Sequence, residues 1–145
     1  MHFADRRDGF EISTDPGRLD VGAAHAFLAQ MPWSPGVARD VVERALRHSL
    51  CFGVYRAEAQ IGLARVITDF ATFGYVADVY LLPEFRGRGL ARWLMRCIMA
   101  HPDLRTVRRL LLTTSTAPGL YLKLGFQPVR NPGGHMEWRP QAPAS

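Results

Sequence analysis

Apolar positions along this chain change their period several times, and each change marks a predicted element. Residues 10–13 alternate as a half-buried strand does, and Asp15-Pro16-Gly17 after them is a turn. Residues 21–30 read as a helix with Asp20 as its cap. Met31-Pro32-Trp33-Ser34-Pro35 breaks that helix, and Ser34 with Pro35 restarts the chain as a cap followed by a first-turn proline. The second helix, over about 36–48, has Val37, Val41, Ala45 and Leu46 on its apolar side. Residues 50–56 and 60–67 make a hairpin around Ala57-Glu58-Ala59, 73–82 is strongly strand-prone, and 90–100 is strongly helical. A short apolar run at 110–113 suits a buried strand. The helix that follows, ending at Gly125, takes Thr116 as cap, Pro118 in its first turn, Leu120 and Leu124 as its apolar edge, and Gly125 in the left-handed stop position. No repeat or low-complexity segment interrupts the pattern, and the Pro-rich tail after Arg139 is expected to fray.

The junction between the strand-prone and helical runs, Arg86-Gly87-Arg88-Gly89-Leu90-Ala91, carries the most chemistry. Two glycines let backbone N–H groups approach an anion closely, and the helix start adds unpaired donors and the positive end of its dipole. Arg88, Arg92 and Arg96 recur at i, i+4, i+8 and stripe one helix face with positive charge. Arg96 lies roughly 12 Å from Arg88 by helix rise, so it belongs to a solvated cationic face. A P-loop would need Gly-Lys-Ser/Thr at the end of this segment, and a dinucleotide fingerprint would need Gly or Ala where Arg92 stands.

What the segment resembles is the acyl-CoA loop of the GNAT acetyltransferases, Arg/Gln-x-x-Gly-x-Gly/Ala, matched by Arg86, Gly89 and Ala91 after Val79-Tyr80-Leu81-Leu82-Pro83-Glu84-Phe85. Leu120-Tyr121-Leu122-Lys123-Leu124-Gly125-Phe126 is similar to the Leu-Tyr-x-x-x-Gly-Phe pattern of the same family. The resemblance covers most of residues 59–129. It implies an α/β domain of GNAT fold spanning residues 1–145, with a mixed, mostly antiparallel sheet of six to seven strands and about four helices in the order β-α-α-β-β-β-α-β-α-β-β. It also implies an N-acetyltransferase that moves acetyl from acetyl-CoA to an amine by direct attack in a ternary complex, with no metal.

On that resemblance the backbone of Val79, Tyr80 and Leu81 pairs with the pantetheine arm and binds the carbonyl oxygen, while Arg86, Gly87, Arg88, Gly89, Leu90, Ala91 and Arg92 hold the diphosphate. Tyr121 lies beside the thioester sulfur. A phenol of ordinary pKa near 10 stays protonated at neutral pH and can donate to a departing thiolate, so Tyr121 is the candidate general acid. The base is unassigned: where some relatives carry Glu on the preceding strand this chain has Arg109, and where an Asn often follows it has Thr114. Asp78 in the central strand is a catalytic candidate or a structural hydrogen-bonding group, and Asp69 is a base candidate better read as serving a hairpin turn. His135 lies in a loop near where the family's acceptors bind and suits proton transfer or is simply exposed, and water is the remaining choice for the base. Acceptor identity is expected to reside in Met31-Pro32-Trp33 and around Gly133, with Trp33 equally readable as a core plug.

Composition narrows the remaining classes. With 145 residues, 48% of them apolar, the chain can bury one sizeable core. It has no run long enough to span a membrane and no signal-peptide pattern at Met1 to Asp8, and Cys51 and Cys97 read as buried free thiols, so a cytoplasmic setting is expected. The net charge of +5 permits nucleic-acid binding, yet the arginines are scattered and no basic stretch interleaves with aromatics; an anionic cosubstrate accounts for the charge. A catalytically silent acyl-CoA-binding module is the alternative, because Arg109 and Thr114 replace groups that assist catalysis in relatives. The expected partner is a small-molecule or peptide amine, and the resemblance allows a homodimer.

Overall fold

The computed structural model describes residues 2–140, which fall into two compact units divided after Thr114. The expected frayed tail lies mostly outside the described residues.

In the first unit six strands form one sheet in chain order: β1 (Ala4–Arg7), β2 (Phe10–Ser13), β3 (Leu50–Arg56), β4 (Ala59–Thr68), β5 (Phe73–Leu81) and β6 (Arg109–Leu111). Every neighbouring pair is antiparallel except β5 and β6, which run parallel. The first strand is an addition to the expected set. Its four residues are exposed and three of them are charged, so periodicity conceals it; Asp8 and Gly9, at φ 51° and 83°, form the two-residue turn that pairs Arg7 with Phe10. The two strands expected after the last helix are not formed among the described residues, where a single 3-10 turn at Pro132–Gly134 is the only regular element.

Alternation along the strands sends side chains to two faces. On one face Cys51, Leu63 and Tyr80 pack with Ala24 and Leu28 of α1 (Val21–Leu28) and Val42 and Leu46 of α2 (Arg39–Arg47). The other takes α3 (Leu90–Ala100), which packs on β3 and β5 and buries Trp93, Leu94, Met95 and Ile98. The Trp93 indole donates to Asp5 Oδ2 at 2.8 Å, which gives the otherwise exposed β1 an anchor on α3.

Helix starts were only partly legible. Asp20 caps α1 as expected, accepting the Ala23 N–H at 2.9 Å. α2 begins at Arg39 behind Ala38, not behind Ser34, because the Ser34 hydroxyl is committed to Leu28 O at 2.7 Å and the intervening residues form turns. Its inward face is Val42 and Leu46, and Val41 points to solvent. In the second unit α4 (Pro118–Lys123) has Ala117 at its N-cap, one residue beyond Thr116, so the expected hydroxyl cap is not made.

Two features control β5. Opposite Ala64 the strand carries an extra residue: Leu63 faces Tyr80 and Arg65 faces Ala77, leaving Asp78 and Val79 across from one residue, with Asp78 at φ 54°. Gly62 supports the close approach there, since a Cβ would stand 2.7 Å from the Tyr80 carbonyl oxygen.

His101 follows α3, buried between Phe3 and Phe52 at ring distances of 5.8 and 5.6 Å, and its Nδ1 accepts the Asp103 N–H at 3.1 Å. Burial lowers its pKa, against an opposing pull from Asp103. A folded-state pKa below the unfolded value of about 6.5 means the unfolded chain protonates first, so this contribution is complete above that pH and is lost as pH falls through the folded value. The thermal midpoint is therefore expected to drop from pH 7 to pH 5. His101→Asn, which keeps an acceptor but does not titrate, should flatten that slope in calorimetry; an unchanged slope would remove His101 from the account.

Candidate functional site

β6 accompanies β5 only from Phe73 to Tyr75. From residue 76 to Leu81, β5 keeps β4 on one side and, among the described residues, has no strand of the sheet on the other. Val79, Tyr80 and Leu81 lie on this open stretch, Val79 being the second residue of the bulge. The Tyr80 side chain is spent on the core, stacked on Phe27 with ring centroids 3.8 Å apart, and burial raises its phenol to about 12. Only its peptide group remains available to a ligand.

The turn into α3 follows at once. Arg86 folds back and donates from Nε to Leu81 O at 3.1 Å, tying the turn to the end of β5. Gly87 and Gly89 sit at φ 79° and 76°, and a Cβ on either would meet nothing within 4 Å, so the backbone conformation and not crowding calls for glycine. Gly89 is the N-cap of α3 and offers no side-chain acceptor to the first-turn N–H groups. Arg88 lies 5.8 Å over the Phe85 ring, Arg92 is exposed, Ala91 is half-buried, and Leu90 is core. Extended backbone, open glycine turn and uncapped helix start thus succeed one another over 76–92.

A sequence profile described as an acetyltransferase (GNAT) domain matches residues 47–128. The chain belongs to the GNAT family. A Gibberella zeae protein described as a candidate acetyltransferase is 36% identical over 86% of this chain and 82% of its own length. Among solved structures, a GNAT-family candidate acetyltransferase from Xanthomonas campestris pv. campestris is 45% identical, with a TM-score of 0.88 over 92% of this chain and 95% of that one. A Clostridium acetobutylicum protein described as a predicted acetyltransferase, solved with acetyl-CoA, shares the fold at 19% identity, with a TM-score of 0.65 over 96% of each chain.

The remaining predicted residues of this GNAT chain sort by what holds them. Asp78 has both carboxylate oxygens engaged: Arg65 Nε donates to Oδ2 at 2.8 Å, and the Trp33 indole N–H donates to Oδ1 at 3.0 Å. The pair is largely shielded, with side chains 17% and 13% exposed for Arg65 and Asp78. Arg65 was not singled out from the sequence, although one arginine inside the apolar run Ile61-Gly62-Leu63-Ala64-Arg65-Val66-Ile67 is a signal that a carboxylate must sit opposite. Trp33 is no core plug, being 55% exposed. Asp69 serves its turn, with Oδ1 accepting from the N–H groups of Ala71, Thr72 and Phe73 and Oδ2 from the Thr72 hydroxyl; these bonds hold its carboxyl well below the usual range. Arg109 lies 5.4 Å over the Phe73 ring, and His135 is exposed.

Within the second unit, Tyr121 is fixed by the way α4 ends. Phe126 N–H donates to Tyr121 O at 3.0 Å and Gly125 N–H to Leu122 O at 3.1 Å, with Gly125 at φ 98°. That is a Schellman motif, and its apolar contact is made by the Tyr121 and Phe126 rings, edge to face at 5.8 Å. Burial raises the Tyr121 phenol above its ordinary value.

Cys51 and Cys97 are buried free thiols, and burial raises them to about 12 and about 11. The thiolate is the nucleophile, so both are inert at neutral pH. Native protein at pH 8 should resist iodoacetamide at both positions for at least tenfold longer than the protein in denaturant, read by intact mass. Rapid native alkylation of Cys51 would reopen a covalent route.

Proposed function

We propose that this GNAT protein transfers the acetyl group of acetyl-CoA to the nitrogen of an amine by direct attack, with both substrates bound at once. The observation that carries the proposal is the unaccompanied edge of β5 running into the open glycine turn and uncapped start of α3. An extended pantetheine arm carries amide N–H and C=O groups, and the open edge suits it as it would an added strand. The turn suits a diphosphate, with N–H groups from Gly87 to Arg92 and the Arg88 and Arg92 side chains as partners. The fold neighbour solved with acetyl-CoA supports the same cosubstrate.

Acetyl-CoA supplies an activated acyl group, and the chain's part is to orient it and meet the charge that develops. In this reading an N–H among Val79, Tyr80 and Leu81 donates to the carbonyl oxygen; a preorganised donor of this kind is worth about 3 kcal/mol. Tyr121 keeps its proton across the neutral range, because burial raises it, and gives that proton to the departing thiolate.

Both oxygens of Asp78 already hold a hydrogen bond, one of them from the Arg65 guanidinium, which suits a structural role for the carboxylate and favours acceptors that enter as the free base. At pH 7 deprotonation costs about 4.6 kcal/mol for a lysine-like amine and about 1.4 kcal/mol for an α-amine of pKa near 8. The proposed acceptor is therefore an α-amine, an arylamine or another weakly basic amine.

Thiol release over a panel of amines and peptide N-termini tests this. Weakly basic amines should be turned over well ahead of lysine side chains, and Tyr121→Phe should lower kcat tenfold or more while acetyl-CoA affinity stays within twofold. With the best acceptor, kcat should rise with pH towards the acceptor's pKa and show no fall from Tyr121 below about pH 10. Tight acetyl-CoA binding without turnover of any amine would favour a catalytically silent acyl-CoA-binding module, and absence of binding would overturn the site.

A further inference from the structure

An exposed tryptophan ordinarily swings between rotamers, but Trp33 is held at both ends. Its backbone lies in the connection between α1 and α2, which is tied down by Gly36 N–H to Ala29 O at 2.8 Å, Ser34 Oγ–H to Leu28 O at 2.7 Å, and a His25 Nε2 contact with Val37 O at 2.9 Å. Its ring is pinned by the indole bond to Asp78 Oδ1. Behind Asp78 the bonding continues: Arg65 also donates from Nη1 to Ser49 Oγ at 3.3 Å, and the Ser49 hydroxyl donates to Ala45 O, in α2, at 2.8 Å. The ring orientation is thus set by bonds that run from α2 through β4 to the bulge of β5.

Two consequences bear on what can approach. More than half of Trp33 remains exposed, and it stands against the residue that immediately precedes Val79 on the open edge. The charge beneath it is cancelled, since the Asp78 carboxylate is paired with Arg65 at 2.8 Å. A fixed flat apolar face with no uncompensated anion beside it favours stacking and gives an ammonium group no counter-ion.

We propose that Trp33 is a specificity residue of the acceptor site, locked in place by Arg65 and Asp78, and that it selects neutral amines bearing a flat apolar group next to the nitrogen over aliphatic amines of equal basicity. Asp78 is then a positioning residue. The proposal rests on the acetyl-transfer reading above and names the acceptor class within it.

Phenylalaninamide and alaninamide, two α-amines of similar basicity, separate the terms. The wild type should show kcat/KM at least tenfold higher for phenylalaninamide, carried mainly by KM. Trp33→Ala should bring the ratio to within about twofold of one. Trp33→Phe, which keeps a ring and removes the N–H, and Asp78→Gly, which suits the positive φ and removes the carboxylate, should each give an intermediate ratio, with the double variant no lower than the worse single one. A wild-type ratio near one, or a ratio untouched by Trp33→Ala, overturns the proposal. The lock is read independently in nitrogen-15-labelled protein: Asp78→Gly should speed exchange of the Trp33 indole N–H with water at least tenfold, and unchanged exchange overturns the lock. If no amine releases thiol, the acetyl-transfer reading has failed and the selectivity is read by titration instead. Phenylalaninamide should then shift the Trp33 indole resonance where alaninamide does not, and equal or absent shifts overturn the proposal.

Discussion

Backbone hydrogen bonding along β5 is the constraint from which most of the first unit follows. Peptide groups in the middle of a sheet need partners on both sides, and β5 has β4 throughout but β6 for only three residues. β6 stops accompanying the strand after Tyr75, and three residues on the strand bulges against β4 at Asp78 and Val79, where the Asp78 carboxylate is fastened from two directions. Gly62 allows the neighbouring strand to stay close, and Phe27 covers the Tyr80 ring from α1. α3 then starts at Leu90, one short turn segment beyond the strand end at Leu81, so a row of extended peptide groups and a helix start share one stretch of chain.

That arrangement divides work between peptide groups and side chains in an uneven way. Tyr80 and Leu90 stand in the middle of the candidate site by sequence, yet their side chains are core, and their substitution would act on packing before chemistry. Burial acts on three ionisable groups in the same direction. Burial raises Cys51, Cys97 and Tyr121 alike, which silences the thiols as nucleophiles and keeps the phenol a proton donor.

The central hairpin, β5, α3 and the glycine turn were legible because their signals are local: period, a cap, and glycines flanked by opposite propensities. β1 was not, since its residues carry no apolar alternation and its stability comes from pairing with β2 and from Asp5 meeting Trp93, 88 residues away in sequence. The displaced start of α2 reflects a hydroxyl that chose a backbone carbonyl of the preceding helix over its own turn. The two strands expected near the C-terminus came from the family's element order and not from any pattern in residues 126–139. The partnership of Arg65 with Asp78 was half visible as two charges inside apolar strands, but their meeting depends on a register that only the bulge sets.

The Schellman ending of α4 measures the position of Tyr121 from the helix C-terminus. Gly125 and Phe126 are counted back four and five residues to the phenol, and both bonds lie on the C-terminal side of the helix. Lengthening the chain ahead of Pro118 would therefore leave the ring's relation to Phe126 intact. One residue inserted between Tyr121 and Gly125 would rotate the phenol by about 100° around the helix axis and part it from its aromatic neighbour. The spacing from tyrosine to glycine acts as a ruler, and loop-length drift between relatives should accumulate on the upstream side of it alone.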